Sequence, residues 1–461
     1  MAIITNNLKQ VLADILIDDV SATPYYVAVG RAEDWSGGTP TLTDSDGKLR
    51  EQKTIRSKLH TYKRISNASH AVPRILWTSG NQYAQFDNTV VDAEEASFYV
   101  VTSKDEVYVC VQSAKNADGS LINSTVEPDV NLHTKAGSRA KTFGTSDGYR
   151  WRYLYKISPF ADSRFVSTDF IPVKTIDSGS SPTISEEIAQ QSLQDSAVDG
   201  EIIGFRIVDG GAGYASAPTI SIQPTTNTSA AFTATVNGGI VTKVEVDFDA
   251  GDSTFSHGSG FGQVKAVLSG GSPSSAAVLE PILAPSRGLN YSPVRSLKAD
   301  HVIVQGSIED DESGNLLATN DFRQVALIRA PKQYDLITPL TANQAIALPA
   351  VVVSSVTGFA EDDVISGATN TARANLFAVS GSNLYYYQTD STGYQPFSGA
   401  AEAVQTVSGS GTGNTTAASP FSVDPEVDVY SGDIIFLENV NAVTRQTSPA
   451  QTEDFRFIFK L

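Results

Sequence analysis

From Phe143 to Pro159 the chain reads FGTSDGYRWRYLYKISP, and the alternation inside this stretch leaves little freedom of fold. Tyr149, Trp151, Tyr153 and Tyr155 fall at every second position, with Arg150, Arg152, Leu154 and Lys156 between them. Neighbouring side chains point to opposite sides only in an extended strand, so the pattern predicts a strand with one aromatic face. Such a face suits a sheet core or a subunit seam, or else a flat platform for sugars or bases. Core or seam is the favoured reading of Tyr149, Trp151 and Tyr153. Arg150 and Arg152 then lie on the other face, available to carboxylates of a neighbour.

The same period recurs in ASFYVVTSKDEVYVCVQSA, where Lys104 and Asp105 mark a hairpin turn between two alternating runs. Only 18% of residues are charged, and short β-branched runs end in Gly, Asn, Asp and Ser clusters, which favours strands and tight turns over long helices. At 461 residues the chain exceeds the roughly 250–300 that one core serves, so several compact parts are expected. The fold class read here is mainly β: a discontinuous β-sandwich-like core with one N-terminal helix and two inserted small β domains.

Leu8, Val11, Leu12, Ile15 and Leu16 carry the i, i+3, i+4, i+7, i+8 spacing of a helix that buries this stripe. Composition shifts near Ser178, where SGSSPTISEE reads as a linker, and again near Pro339. The core is thus predicted in three pieces, 1–177, 286–338 and 424–461. A β module at 178–285 with an internal repeat separates the first two, and a second module at 339–423 separates the last two. In the final strand Phe455, Phe457 and Phe459 share a face, the mark of a strand tied into a sheet.

Several function classes are disfavoured. A net charge of −18 does not suit a surface that neutralises phosphates, so no nucleic-acid partner is expected. No run approaches the roughly 18 apolar residues of a membrane span, and the N-terminus lacks a signal-peptide pattern. A chain made and kept in a reducing cytosol is expected, with the lone Cys110 read as a buried thiol. His60, His70, His133, His257 and His301 lack ligand spacing, so no metal, cofactor or catalytic residue is assigned. No GxSxG elbow starts a triad. DGGAGY at 209–214 precedes a strand-like run, unlike a phosphate loop, and reads as a tight turn. DSDGK at 44–48 reads as an Asx turn because the later calcium ligands are missing. The acidic pairs Asp310–Asp311 and Asp362–Asp363 read as solvated loop tips.

Four motifs in order carry a resemblance: YYVAVGRAEDWSG, DGYRWRYLYKI, FRQVALIRAP and ENVNAVTRQTSPAQTEDFRFIFKL. This order resembles the baseplate wedge protein family of T-even-type contractile-tailed bacteriophages, the tail gene eight products. The matching positions are Gly30, Arg31, Trp35 and Ser36; Asp147, Gly148, Tyr149, Trp151, Tyr153 and Leu154; Phe322, Arg323 and Gln324; and Glu438 and Asn439. The two inserts have no counterpart in that pattern. The resemblance implies a homodimeric, non-enzymatic subunit of the virion tail baseplate. Such a subunit binds other wedge subunits and tail fibre proteins, and helps transmit the signal for sheath contraction. The interface or core candidates are then Arg31, Trp35, Tyr149, Arg150, Trp151, Arg152, Tyr153, Phe322, Arg323, Glu438 and Asn439. The alternative is a receptor- or glycan-binding tail component that uses aromatics such as Tyr385, Tyr386 and Tyr387.

Overall fold

The computed structural model describes residues 6–42, 49–89, 97–129, 142–224, 230–246, 248–249, 254–255, 257–309, 321–335, 337–368, 371–397, 403–407, 409–414, 422–444 and 451–461. DSDGK, the pair Asp310–Asp311 and His133 lie outside these residues. The chain is mainly β, with several antiparallel sheets and an N-terminal helix, Asn6–Ala22. It divides into two compact units, Met1–Ile17 with Ser69–Ile303 and Ile458–Leu461, and Asp18–Ala68 with Val304–Phe457.

In the first unit the aromatic strand Arg150–Lys156 pairs with Glu106–Gln112, which pairs in turn with Tyr99–Val101. The predicted turn between the latter two is present: the Thr102 amide donates to Glu106 O, and Asp105 takes a positive φ of 60°. Val107 pairs with Tyr155 but Tyr108 with Tyr153, so the aromatic strand carries an extra residue at this point. Such a bulge shifts the side-chain alternation by one. Tyr149, Trp151 and Tyr153 therefore join Tyr83, Tyr108 and Cys110, while Tyr155 joins Val107 and Leu154 in a different cluster. The expectation that Tyr155 shares the face of the other three is corrected by the bulge.

The segment read as a linker after Ser178 instead leads into a helix, Ser185–Asp195. Leu193 of this helix packs into the aromatic cluster, and the Gln194 amide accepts from Ile176 N and donates to Ile176 O. Past it, Ile202–Asp209 pairs with Val278–Leu283, Thr219–Gln223 with Lys265–Ser269, and Phe232–Asn237 with Ile240–Val246. These strands share a core that includes Phe205, Tyr214 and Val241. The glycines of DGGAGY form a tight turn: Gly211 and Gly213 have φ of 68° and 76°, and Gly211 N donates to Asp209 Oδ1.

The N-terminal helix also departs from expectation. Leu8, Val11, Leu12 and Ile15 are 46%, 51%, 45% and 58% exposed, while Gln10, Ala13 and Val20 are buried. Polar anchors select the face turned inward. Lys9 Nζ donates to Asp300 at 3.0 Å, Gln10 Nε2 to Val294 O at 3.3 Å, and Asp14 meets His70 Nε2 at 2.8 Å. The small Ala13 lets the backbone sit close between them.

The second unit contains a five-stranded antiparallel sheet ordered Gln344–Ile346, Leu59–Ile65, Tyr25–Gly30, Phe322–Arg329, Asp433–Val443. All six residues of Tyr25–Gly30 are buried, as suits a strand covered on both faces. Gln344–Ile346 and Asp433–Val443 are its two edges. A separate seven-stranded sheet is built wholly from residues 350–423, with Val351, Ile365, Leu376 and Leu384 in its own core.

Candidate functional site

Three of the four motifs meet at one end of the five-stranded sheet. Gly30 pairs with Gln324, and Gln324 with Asn439, which brings YYVAVGRAEDW, FRQVALI and ENV onto adjacent strands. Gly30 sits where the pairing with Leu59 shifts register. A Cβ at Gly30 would lie 2.0 Å from Lys58 O and 2.6 Å from Leu59 Cα, so no larger residue fits there. Arg31 follows with φ of 60°, a left-handed conformation that turns the chain out of the sheet, and its amide donates to Lys58 O at 2.7 Å.

The loop that leaves the sheet is pinned from four directions. The Arg31 guanidinium lies 3.8 Å from the centre of the Trp35 ring, a cation–π contact. Trp35 Nε1 donates to Val440 O at 3.1 Å, and Asn439 Nδ2 donates to Pro40 O at 3.0 Å. Thr39 Oγ1 donates to Asn441 Oδ1 at 2.7 Å. Arg323 is buried and donates to Ala32 O and to the Asp34 carboxylate, with Asp321 at 3.5 Å. Lys58 pairs with Glu33. Gln324 Nε2 donates to Asn439 Oδ1 at 2.9 Å, which orients the Asn439 amide towards Pro40. Burial holds the Arg31 guanidinium below the usual arginine range, with Glu33 opposing that shift.

Of the candidates in this cluster, Arg323 and Phe322 are interior residues and Glu438 is exposed. Phe322 packs near Phe455, at 6.3 Å between ring centres, and Phe457 meets Phe436 edge-on. The outward surface is formed by Asp34, Ser36 and Glu438. It is polar, with no reactive group in it.

The fourth motif belongs to the first unit and is core. Tyr149, Trp151 and Tyr153 are buried; Tyr149 and Trp151 stack at 5.7 Å, and Tyr83 meets both rings edge-on. Tyr149 Oη donates to Ile122 O at 2.6 Å and accepts from Tyr83 N. Asp147 accepts from Thr145, Ser124, Thr125 and Val126. Burial alone would raise its pKa, but these hydrogen bonds outweigh it and hold the carboxyl below its usual range. Arg152 does not await a neighbour's carboxylate: Nη1 donates to Glu201 of the same chain, and both side chains are buried. Arg150 is half-buried.

Tyr386 is buried against Phe397, Tyr387 packs on His60, and Tyr385 is half-buried, so this run offers no exposed aromatic platform. Among the described residues no group of three or more His, Cys, Asp or Glu is placed to hold a metal ion. Burial pushes the Cys110 thiol well above its ordinary value, which keeps it protonated and unreactive.

The pinning of the loop against residues about 400 positions away escaped the sequence reading. The Gly-Arg pair after an apolar strand was the available signal. No protein-family model matches this chain, and no curated protein matches it.

Proposed function

We propose that the chain is a non-enzymatic structural subunit of a phage tail baseplate wedge. In this reading it is made in the host cytoplasm, forms a homodimer, and sits in the virion tail baseplate. There it binds other wedge subunits and tail fibre proteins and helps transmit the signal for sheath contraction. One observation carries the reading: residues of three motifs widely separated in sequence interlock around one loop and fix it against a sheet edge. A loop held this way presents its polar outer face with little ordering entropy left to lose, which is what repeated assembly contacts require. The aromatic motif serves the same end from inside, as a rigid core.

The test is immunogold electron microscopy with antibody raised against the purified chain, applied to intact phage particles from the culture that produces it. Label at the baseplate end of the tail is expected. Label along fibres only, or none on intact or detergent-opened particles, overturns the reading.

A further inference from the structure

We infer that the exposed apolar face of the N-terminal helix is a two-fold seam to a second copy of this chain. The inference supplies a surface for the self-association in the reading above and rests on that reading for its biological setting. Its physical argument stands on the helix.

Leu8, Val11, Leu12 and Ile15 lie at i, i+3, i+4 and i+7, one continuous stripe, and each is about half exposed. The opposite face is the one anchored by Lys9, Gln10 and Asp14. A sustained aliphatic stripe on the outer face of a helix is the feature that a partner helix covers.

Charge selects the occupant. Beside Asn7 and Gln10, at the start of the helix, a pocket of about 270 Å³ is lined by Phe86, Asn88, Ser286, Arg295 and Lys298. Its described ionisable groups are both cations, in a chain of net charge −18. Lys298 is buried and already donates to Asp87 O, whereas Arg295 is exposed and its guanidinium hydrogen-bonds no described residue. At the other end of the helix Asp18 is exposed and likewise meets no described side chain.

Antiparallel packing about a two-fold axis between Val11 and Leu12 sets Leu8 against the partner's Ile15 and Val11 against the partner's Leu12. Such an axis keeps like edges of the two helices together. Asp18 follows Val11 by seven residues and Asn7 precedes it by four, so all three share one edge at 3.6 residues per turn. Each Asp18 carboxylate then arrives within about one turn of the partner's Asn7, at the rim that holds the partner's Arg295. A parallel two-fold would instead put like edges on opposite sides of the pair and leave each Asp18 about eleven residues along the axis from the partner's Asn7 and Arg295. Four half-exposed side chains per copy fall short of the roughly 1,200 Å² of a standard interface, so the contact must extend over the pocket rim, as antiparallel packing does.

The test is sedimentation equilibrium of the full chain over a concentration series, with near-ultraviolet circular dichroism to verify the fold. The wild type is expected to dimerise. Ile15→Glu should give a monomer with unchanged dichroism, since the site is already exposed. Asp18→Arg or Arg295→Glu alone should raise the dimer dissociation constant at least about tenfold, and the double reversal should recover most of it. A wild type that stays monomeric overturns the seam and leaves another partner to cover the stripe. A dimer untouched by Ile15→Glu overturns the seam while leaving self-association intact. A double reversal no better than the single ones overturns the antiparallel register. Immunogold label tests the baseplate location independently of these outcomes; a monomeric wild type removes the homodimer from that reading as well, whereas the variant outcomes bear on the seam alone.

Discussion

Arg152 and Glu201 form a buried ion pair, Nη1 to Oε2 at 2.6 Å, with Arg152 also donating to Thr142 Oγ1 from Nε and Nη2. It links the aromatic strand to the residue just before the strand Ile202–Asp209. Removing one partner strands the other charge out of water, which costs roughly 3–5 kcal/mol, whereas replacing both with apolar residues costs much less. Glu201→Leu alone is therefore expected to lower the denaturant midpoint sharply, and Arg152→Met/Glu201→Leu to recover much of that loss. Additive single-mutant losses in urea titrations would show that the pair is not coupled.

The aromatic cluster gives a second expectation. Trp151 is fully buried between Tyr83 and Tyr149, so Trp151→Ala should cost roughly 3–5 kcal/mol through lost burial and a residual cavity. Tyr149→Phe keeps the ring but leaves Ile122 O and Tyr83 N without the hydroxyl, a loss of about 1–3 kcal/mol. Equilibrium denaturation measures both. A near-neutral Trp151→Ala would contradict a packed core here.

Acid sensitivity should have a histidine component. His60 is buried between Phe377 and Tyr387, and burial, assisted by Lys58, pushes its pKa down to about 3. His257 is pushed down to about 4, chiefly by burial. Unfolded histidine titrates near 6.5, so from there downward the unfolded state binds more protons than the folded one. Stability is full above about pH 6.5 and erodes as pH falls towards these folded values, by up to about 1.4 kcal/mol per pH unit for each residue. His60→Phe should flatten the slope of unfolding free energy between pH 6.5 and 5, before unfolded carboxylates begin to titrate. An unchanged slope would mean that His60 is protonated in the fold.

The strand Arg150–Lys156 was legible because large side chains at period two admit one backbone. The bulge beside Tyr155 was not, since an extra residue is defined only against the partner strand Glu106–Gln112. The N-terminal helix was legible as a helix but not in its orientation. Its apolar stripe argued for burial, whereas anchors to Asp300, Val294 and His70 turned the other face inward. Each anchor partner lies far along the chain, beyond any local pattern. Gly30 and Arg31 stood out in sequence, but the reason for the glycine is the backbone of Lys58 and Leu59, brought close only by sheet pairing.

The loop after Gly30 has a consequence for solubility. Asp433–Val443 is an eleven-residue edge strand, and exposed edges of that length template pairing with other chains. Trp35, Thr39 and Pro40 lie along its second half and occupy the main-chain Val440 O and the side-chain amides of Asn439 and Asn441. Trp35→Ala removes both the Val440 contact and the platform under Arg31, while leaving the sheet core untouched. Amide exchange should then rise across 31–42 and 438–443 but not in 150–156. Concentration-dependent light scattering should also grow beyond that of the wild type, because the freed edge can pair. Arg323→Ala, which releases Ala32 and Asp34 at the near end of the loop, should produce a weaker form of the same change. Unaltered exchange at 438–443 in both variants would mean that the loop does not guard the edge, and that the edge is protected by its own polar residues, Glu438, Asn439 and Asn441.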